Sequence, residues 1–322
     1  MSFLALIFAL TLSYYLPHGN ANKLKNFFLA TANRFKIIKT SALQNKYNHI
    51  LTWLLSALLP SIAVAVIFYF CDYFLPVLGL LVNVIVLYFT LTFNGLFNKP
   101  AQILTALRAD DNESANHLYR EWVPNDAETA SYLNNTTIAR KSIEVSLQRG
   151  HYQWFAPIFW FIVFSVIGLG AAGVVLYRLS DMLAQQPDQT DLNTVANQQS
   201  ISKKIFTWLD IPPAHLTGWG FAIMGDFEDA LYCWREQAAT WINGTNYDQN
   251  KGIILSSGAG ALGVKLGGNS TLNGIVQLVP EIGLGDDADA DYLHSAIGLV
   301  WRTLILMLSL LLLLTFAYWL GN

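Results

Sequence analysis

The chain has 322 residues, of which 53% are hydrophobic and only 13% charged, with a net charge of -3 and a mean hydropathy of +0.37. Soluble domains carry about a quarter charged residues, so this composition excludes an ordinary water-soluble globule, and an acidic balance lacks the basic face that a nucleic-acid partner needs. Cys71 and Cys233 stand far apart with no His or Cys at ligand spacing, which excludes a disulfide framework and a zinc site.

In chain order, "MSFLALIFALTLSYYLPHG" is apolar but short, and it lacks the basic start and the cleavage site of a secretory signal. It reads as a short uncleaved span. The loop from His18 to His49 carries Lys23, Lys25, Arg34, Lys36, Lys39 and Lys46 and no acid, which places it in the cytoplasm by the positive-inside bias. From Ile50 to Phe93 the only formal charge is Asp72, and the run is about twice the roughly 20 residues of one span. A helical hairpin turning near Asp72 is expected, closing an N-terminal transmembrane part over 1–94.

Residues 95–151 read as a cytoplasmic helical segment. In "AQILTALRADDNESANHLYREW", Ile103, Leu104, Leu107, Leu118 and Trp122 fall at near-helical spacing around a polar turn from Asp110 to Ser114, the pattern of a helix pair. Trp154 to Tyr177 is uncharged and ends at Arg178, so 152–178 is expected to hold a transmembrane helix. The polar stretch "LAQQPDQTDLNTVANQQS" makes 179–204 a linker.

Residues 205–301 form an amphipathic and re-entrant, glycine-rich core. "IFTWLDIPPAHLTGWGFAIMG" is apolar but interrupted by Pro212, Pro213, Gly218 and Gly220, as in a re-entrant or interfacial segment. "DFEDALYCWREQAATWI" follows, with Phe227, Leu231 and Trp234 on one face and three acids in the first turn: an amphipathic helix. Thr303 to Leu320 is uncharged and supplies the last helix, 302–322. The fold class is therefore all-α, a polytopic membrane protein with about five spans.

"SSGAGALGVKLGG" contains Gly258, Gly260 and Gly263 in the order G-x-G-x-x-G. A dinucleotide turn needs a strand before it, a long helix after it and an acid about 20 residues on. Here "VKLGGNSTLNG" stops any following helix, and the flanks lack alternating strands and helices. The competing reading is small-residue packing, in which Gly and Ala let helix backbones approach; "GLGAAG" at Gly168 to Gly173 repeats that chemistry.

"GAGALGVKLGG" also resembles a stretch of the CobD/CbiB family of cobalamin assembly and of its relative AmpE, an inner-membrane protein associated with β-lactamase induction. "APIFWFIVFSVIGLGAAGVVLYRLSDM", "LDIPPAHLT" and "ALRADDNESANHLY" are similar to further family stretches, in the right order, over most of the chain from about Leu96 to Trp301. The resemblance implies either an adenosylcobinamide-phosphate synthase, joining adenosylcobyric acid to an aminopropanol phosphate with ATP and a divalent metal, or an AmpE-like regulatory protein. Where the family has "ExxxENTxDG", this chain keeps Glu144 but has Gln148, Arg149 and Tyr152 at the later polar positions. After the span, Tyr177 and Arg178 fit, Asp181 replaces Asn, and a later acid is Ala184. "NAGWPE" becomes "NKGIIL", keeping Asn250 and Gly252 without the acid, and the Arg of "PARLT" is His215. An acid is missing in all three places, which favours the AmpE-like regulatory or sensing reading over ligation.

The candidate ligand-binding or polar-cavity residues are Glu144, Arg178, Asp181, Asp210, His215, Arg235, Glu236, Asn250 and Lys265. No catalytic residue, metal site or resident cofactor is assigned. Each candidate has a structural alternative: a surface helix position for Glu144, an exposed helical pair for Arg235 and Glu236, a snorkelling amine for Lys265. "DDADAD" lacks the Gly and Glu of an EF-hand loop and reads as a solvated turn capping the next helix. The expected surroundings are the bacterial inner membrane, with the lipid bilayer, a corrinoid or cell-wall-derived ligand, or a protein partner docked from Asp226 to Trp241. A transporter is the third class, weakened by the absence of a visible inverted repeat.

Overall fold

Proline at the start of a helix, where the missing N–H costs nothing, punctuates the long apolar run. A π-helical turn at Leu54–Leu58 leads into Leu59–Phe74 (α2), the chain extends for one residue at Leu75, and Pro76 opens Pro76–Thr90 (α3). α2 and α3 pack on each other, and α3 also packs on the N-terminal helix Ser2–Tyr15 (α1). The hairpin forms as expected, its turn three residues beyond Asp72. Gly79 makes room for that side chain, since a Cβ there would stand 2.6 Å from Asp72 Oδ1. In this computed structural model the described residues are 2–15, 50–51, 53–91, 97–124, 133–185, 201–243, 246–268, 270–272, 275–277 and 279–321. The basic loop and most of the polar linker lie outside them.

The chain divides into two compact units. The first comprises 1–94, 156–211 and 317–322, the second 95–155 and 212–316.

In the first unit, the stretch expected as a single span from Trp154 to Tyr177 is broken. Ala156–Val166 (α7) ends, the backbone turns through Gly168 and Gly170 at φ 78° and 56°, and Ala172–Ala184 (α8) packs back against α7. The reason is local. Two left-handed residues within three positions end any helix, and Gly173 then lets α8 approach α7 so closely that a Cβ there would stand 2.5 Å from the Trp160 carbonyl oxygen. Ala57, Val175, Leu176 and Leu179 form the buried seam, flanked by Trp53, Val64, Val86 and Phe164. Polar bonds fix the same helix: Ser61 Oγ donates to Ala172 O at 2.8 Å, and Ala171 N to Asn83 Oδ1 at 2.9 Å.

In the second unit, Asn98–Arg108 (α4) and Asn112–Trp122 (α5) are the expected helix pair, with Asp110 at φ 55° in the turn and Asp111 capping Ser114 N. Asn135–Gly150 (α6) continues into a π-helical turn at His151–Phe155. Ile201–Met224 (α9), which belongs to the first unit as far as Ile211 and to the second from Pro212, is one continuous helix through Pro212 and Pro213, a correction to the interrupted segment read from the sequence. Its Gly218 and Gly220 are contact points rather than breaks: Cβ atoms would stand 3.2 Å from Trp234 Cζ3 and 2.7 Å from Thr303 Cγ2. Phe227–Gln237 (α10) is capped by Asp226, whose carboxylate accepts from Asp229 N at 3.1 Å. Gln249–Leu262 (α11) and Ala290–Gly321 (α12), the latter as far as Phe316, complete the unit's helices. Two short antiparallel hairpins, Ile242–Asn243 with Asn246–Tyr247 and Ser270–Leu272 with Ile275–Gln277, are the only strands among the described residues of an otherwise helical fold.

Two described helices are long and apolar enough to cross a membrane, Leu54–Phe74 and Ala290–Ala317; Phe3–Ser13 and Pro76–Thr90 are apolar but shorter. On α12, Leu293, Ala296, Val300, Leu304, Met307 and Leu311 are buried at three- and four-residue spacing, while Ile305, Leu312, Leu313 and Phe316 face outward.

The G-x-G-x-x-G question is answered by α11. Gly258 lies inside the helix, where a Cβ would meet Leu147 Cδ1 of α6 at 2.7 Å, and a Cβ on Gly260 would overlap the Asp229 carbonyl of α10. Gly263, at φ 66°, closes the helix: its N–H reaches Gly260 O and the Val264 N–H reaches Ala259 O, both at 3.1 Å, a Schellman ending. No phosphate cradle is formed. Replacing Gly260 by Ala is expected to destabilise the protein by about 1–3 kcal/mol. Gly298→Ala, at a helical glycine with nothing within 4 Å of its Cβ position, is expected to be neutral or stabilising by about 0.5–1 kcal/mol. Thermal unfolding of the detergent-solubilised chain measures both.

Candidate functional site

Beyond Gly263 the backbone runs alongside residues 282–286. Leu266 and Ile282 exchange N–H···O bonds of 2.8 and 3.0 Å, and Lys265 N donates to Asp286 O at 2.9 Å. Gly267 and Gly268 follow at φ 78° and 89°. This diglycine meets α6 at Glu144, whose Oε1 accepts the Gly267 N–H at 2.8 Å, while Arg140 Nη1 donates to Gly267 O at 2.7 Å. Arg140 and Glu144 are four residues apart on one helical face, so a single residue of the loop is held at both its amide and its carbonyl. Glu144 is 6% exposed, and Lys141 Nζ lies 4.0 Å from its other oxygen. A buried carboxylate is tolerated there because a backbone donor and a neighbouring cation share its charge.

The other candidates of the second unit are dispersed. Asn250 is buried in the first turn of α11. Arg235 and Glu236 are exposed on α10 and form no ion pair among the described residues. Lys265 is exposed, and His215 is exposed with its ring edge-on to Trp234 at 5.6 Å. The acidic loop acts as a cap, as read from the sequence: Asp289 Oδ1 accepts from Asp291 N and Tyr292 N at 2.8 and 2.9 Å. Cys233 is buried on the inner face of α10, and burial pushes its thiol up to about 11.

Arg178, Asp181 and Asp210 belong to the first unit and gather along α8. Tyr177 donates its hydroxyl to Asp210 Oδ1 at 2.7 Å, linking α8 to α9. Arg178 donates through Nε and Nη2 to Thr90 O, at 3.1 and 2.7 Å, satisfying a carbonyl in the last turn of α3. Asp181 accepts from Gln185 Nε2 at 2.8 Å, and Asp181 and Asp210 are 8% and 1% exposed.

Arg140 and His151 were passed over in the sequence, and Tyr177, noted there as fitting the family stretch, was not among the candidate residues. Arg140 was legible through its four-residue spacing to Glu144. His151 was not: it is fully buried in the π-helical turn, with Nδ1 2.8 Å from Thr217 Oγ1, a partner 66 residues away. Positions where this chain departs from the family's polar and acidic residues are built into packing. Arg149 donates to Trp122 O at 2.8 Å with its guanidinium 4.7 Å over that indole, burial lowering its pKa, and Leu255 is fully buried. No group of three metal-ligating side chains occurs among the described residues.

Glu144→Ala leaves the buried Gly267 N–H without its acceptor and is expected to destabilise the chain by about 1–3 kcal/mol, whereas Glu144→Gln retains an acceptor and loses less. The unfolding midpoints of the two variants test this ordering. A second expectation concerns Cys233: with its thiol pushed up to about 11, iodoacetamide at pH 8 should label it in the unfolded chain and leave it unlabelled in the native one.

Residues 22–300 match the family model described as CobD/Cbib protein, starting well before the Leu96 reached by motif comparison. The chain is 33% identical over 235 residues to a cobalamin biosynthesis protein CobD of Stutzerimonas stutzeri, covering 70% of each chain. It is 31% identical over 244 residues to a protein of the same name from Chromobacterium violaceum, covering 73% of this chain and 71% of that one. No solved structure matches. Both relatives carry a cobalamin-biosynthesis name, which favours the synthase expectation and lends no support to the AmpE-like one. Over most of its length, the chain belongs to the CobD/CbiB family.

Proposed function

We propose that the chain is a synthase of cobalamin assembly, embedded as a multi-pass protein in the bacterial inner membrane, that forms the amide between adenosylcobyric acid and an aminopropanol phosphate. The observation that carries this reading is the family match across residues 22–300 together with the shared name of the two relatives. A carboxylate is a poor acyl donor. ATP transfers its terminal phosphoryl group to one of the carboxylate oxygens, releasing ADP; the amine nitrogen then attacks the carbonyl carbon, the C–N bond forms, the phosphorylated oxygen departs as inorganic phosphate and the amine loses a proton to solvent. Glu144, the family acid kept in this chain, acts as a positioning residue: by holding Gly267 it fixes the loop that follows the glycine-rich helix.

The packed side chains at Arg149 and Leu255, where the family has polar or acidic residues, support the second reading, a scaffold turned to regulation. One experiment separates them. A synthase-deficient, corrinoid-dependent strain fed adenosylcobyric acid is expected to grow when it carries this chain, and to grow less with Glu144→Ala than with Glu144→Gln. No growth, with the chain verified in the membrane and an authentic synthase restoring growth, would favour the regulatory reading.

A further inference from the structure

Arg140 is half-buried, and its only hydrogen bond among the described residues is the one to Gly267 O. It forms no ion pair among them, although a guanidinium carries five donors. Gly268, against which it lies, is buried, and its amide makes no hydrogen bond among the described residues. Buried amides are rarely left without an acceptor. A Cβ at Gly268 would overlap Arg140 Nη1, and the left-handed φ of 89° disfavours any side chain there, so the glycine is what lets the guanidinium lie directly against the Gly268 backbone. Of the nearby Glu144, Oε1 accepts the Gly267 N–H and Oε2 lies 4.0 Å from Lys141 Nζ, and no ion pair joins it to Arg140 among the described residues. Glu281, exposed, has Oε1 3.6 Å from the Gly268 Cβ position, yet it too leaves Arg140 without an ion pair.

We infer that Arg140 and the Gly268 amide form an anion site that takes a phosphate monoester. A guanidinium fork and a backbone N–H are the donors that tetrahedral oxyanions select, and a partly desolvated arginine with no ion pair among the described residues, beside an amide with no acceptor among them, gains more from such an anion than from water. Resting on the synthase reading, the site is assigned to the phosphate of the amino alcohol, which makes Arg140 the residue that distinguishes the phosphorylated substrate from the free one.

The test uses the full chain in membranes with two readouts. Labelling of Arg140 by phenylglyoxal, followed by peptide mass spectrometry, should be suppressed by millimolar O-phosphoethanolamine and not by ethanolamine; Glu281→Gln, which removes a competing carboxylate, should strengthen that protection. In amide formation, Arg140→Lys and Gly268→Ala should each lower the preference for phosphorylated over free amino alcohol by about tenfold, the scale of one lost charge-assisted bond. Unchanged labelling in the presence of the monoester, or an equal loss on both alcohols, would make Arg140 a structural tie only. Protection by ATP and not by the monoester would equally overturn the assignment. If the wild-type chain forms no amide, the synthase reading fails while the protection readout still decides this one.

Discussion

Helix α11 lies in contact with the main chain of its neighbours, and it can do so only because it lacks side chains at chosen points. A Cβ on Gly252 would overlap the Ala238 carbonyl, one on Gly260 the Asp229 carbonyl, and one on Gly258 would press into Leu147. Contact at backbone distance adds dispersion and specificity to the burial of hydrophobic surface, because only one register of the helices lets the glycines meet those carbonyls. Ten consecutive residues from Gly252 to Ala261 are buried as a result.

That packing decides where the following loop emerges. Gly263 ends the helix in the left-handed conformation, Leu266 pairs with Ile282, and Gly267 is delivered to the face of α6 that carries Arg140 and Glu144. A family fingerprint that looks like a phosphate cradle in sequence is thus a packing device followed by a tethered loop. The chemistry-bearing residues lie beside the fingerprint. This order of dependence accounts for a chain that retains Glu144 and the glycines while a nearby family Asn has become Arg149 and a family acid Leu255, side chains absorbed into the packing.

Much of the helical outline was legible from spacing. The α4–α5 pair, the α2–α3 hairpin, the acid-capped α10 and the capping role of the acidic loop follow from periodicity and from Asp at helix starts, both local properties. What could not be read depends on tertiary partners. The apolar run around Gly168 looks like one span because hydropathy is blind to φ, and only the left-handed backbone reveals the reversal. Pro212 and Pro213 suggested a break, yet α9 continues through them. Among the candidate residues, burial singled out Glu144, Asp181, Asp210 and Asn250, whereas Arg235, Glu236, Lys265 and His215 lie on the surface. Charge and type alone do not separate these two groups. The four-residue spacing of Arg140 to Glu144 is visible in the sequence, but the carbonyl it holds, 127 residues away, is not.

The central claim is that this chain makes an amide bond on a corrinoid. Membranes containing it, supplied with adenosylcobyric acid, ATP, magnesium and 15N-labelled aminopropanol phosphate, test that most directly, with extracted corrinoids analysed by mass spectrometry. The account predicts an ATP-dependent corrinoid product carrying the 15N label and the mass of one condensation. Recovery of unmodified adenosylcobyric acid, with the chain folded in the membrane and an authentic synthase active alongside, would contradict it.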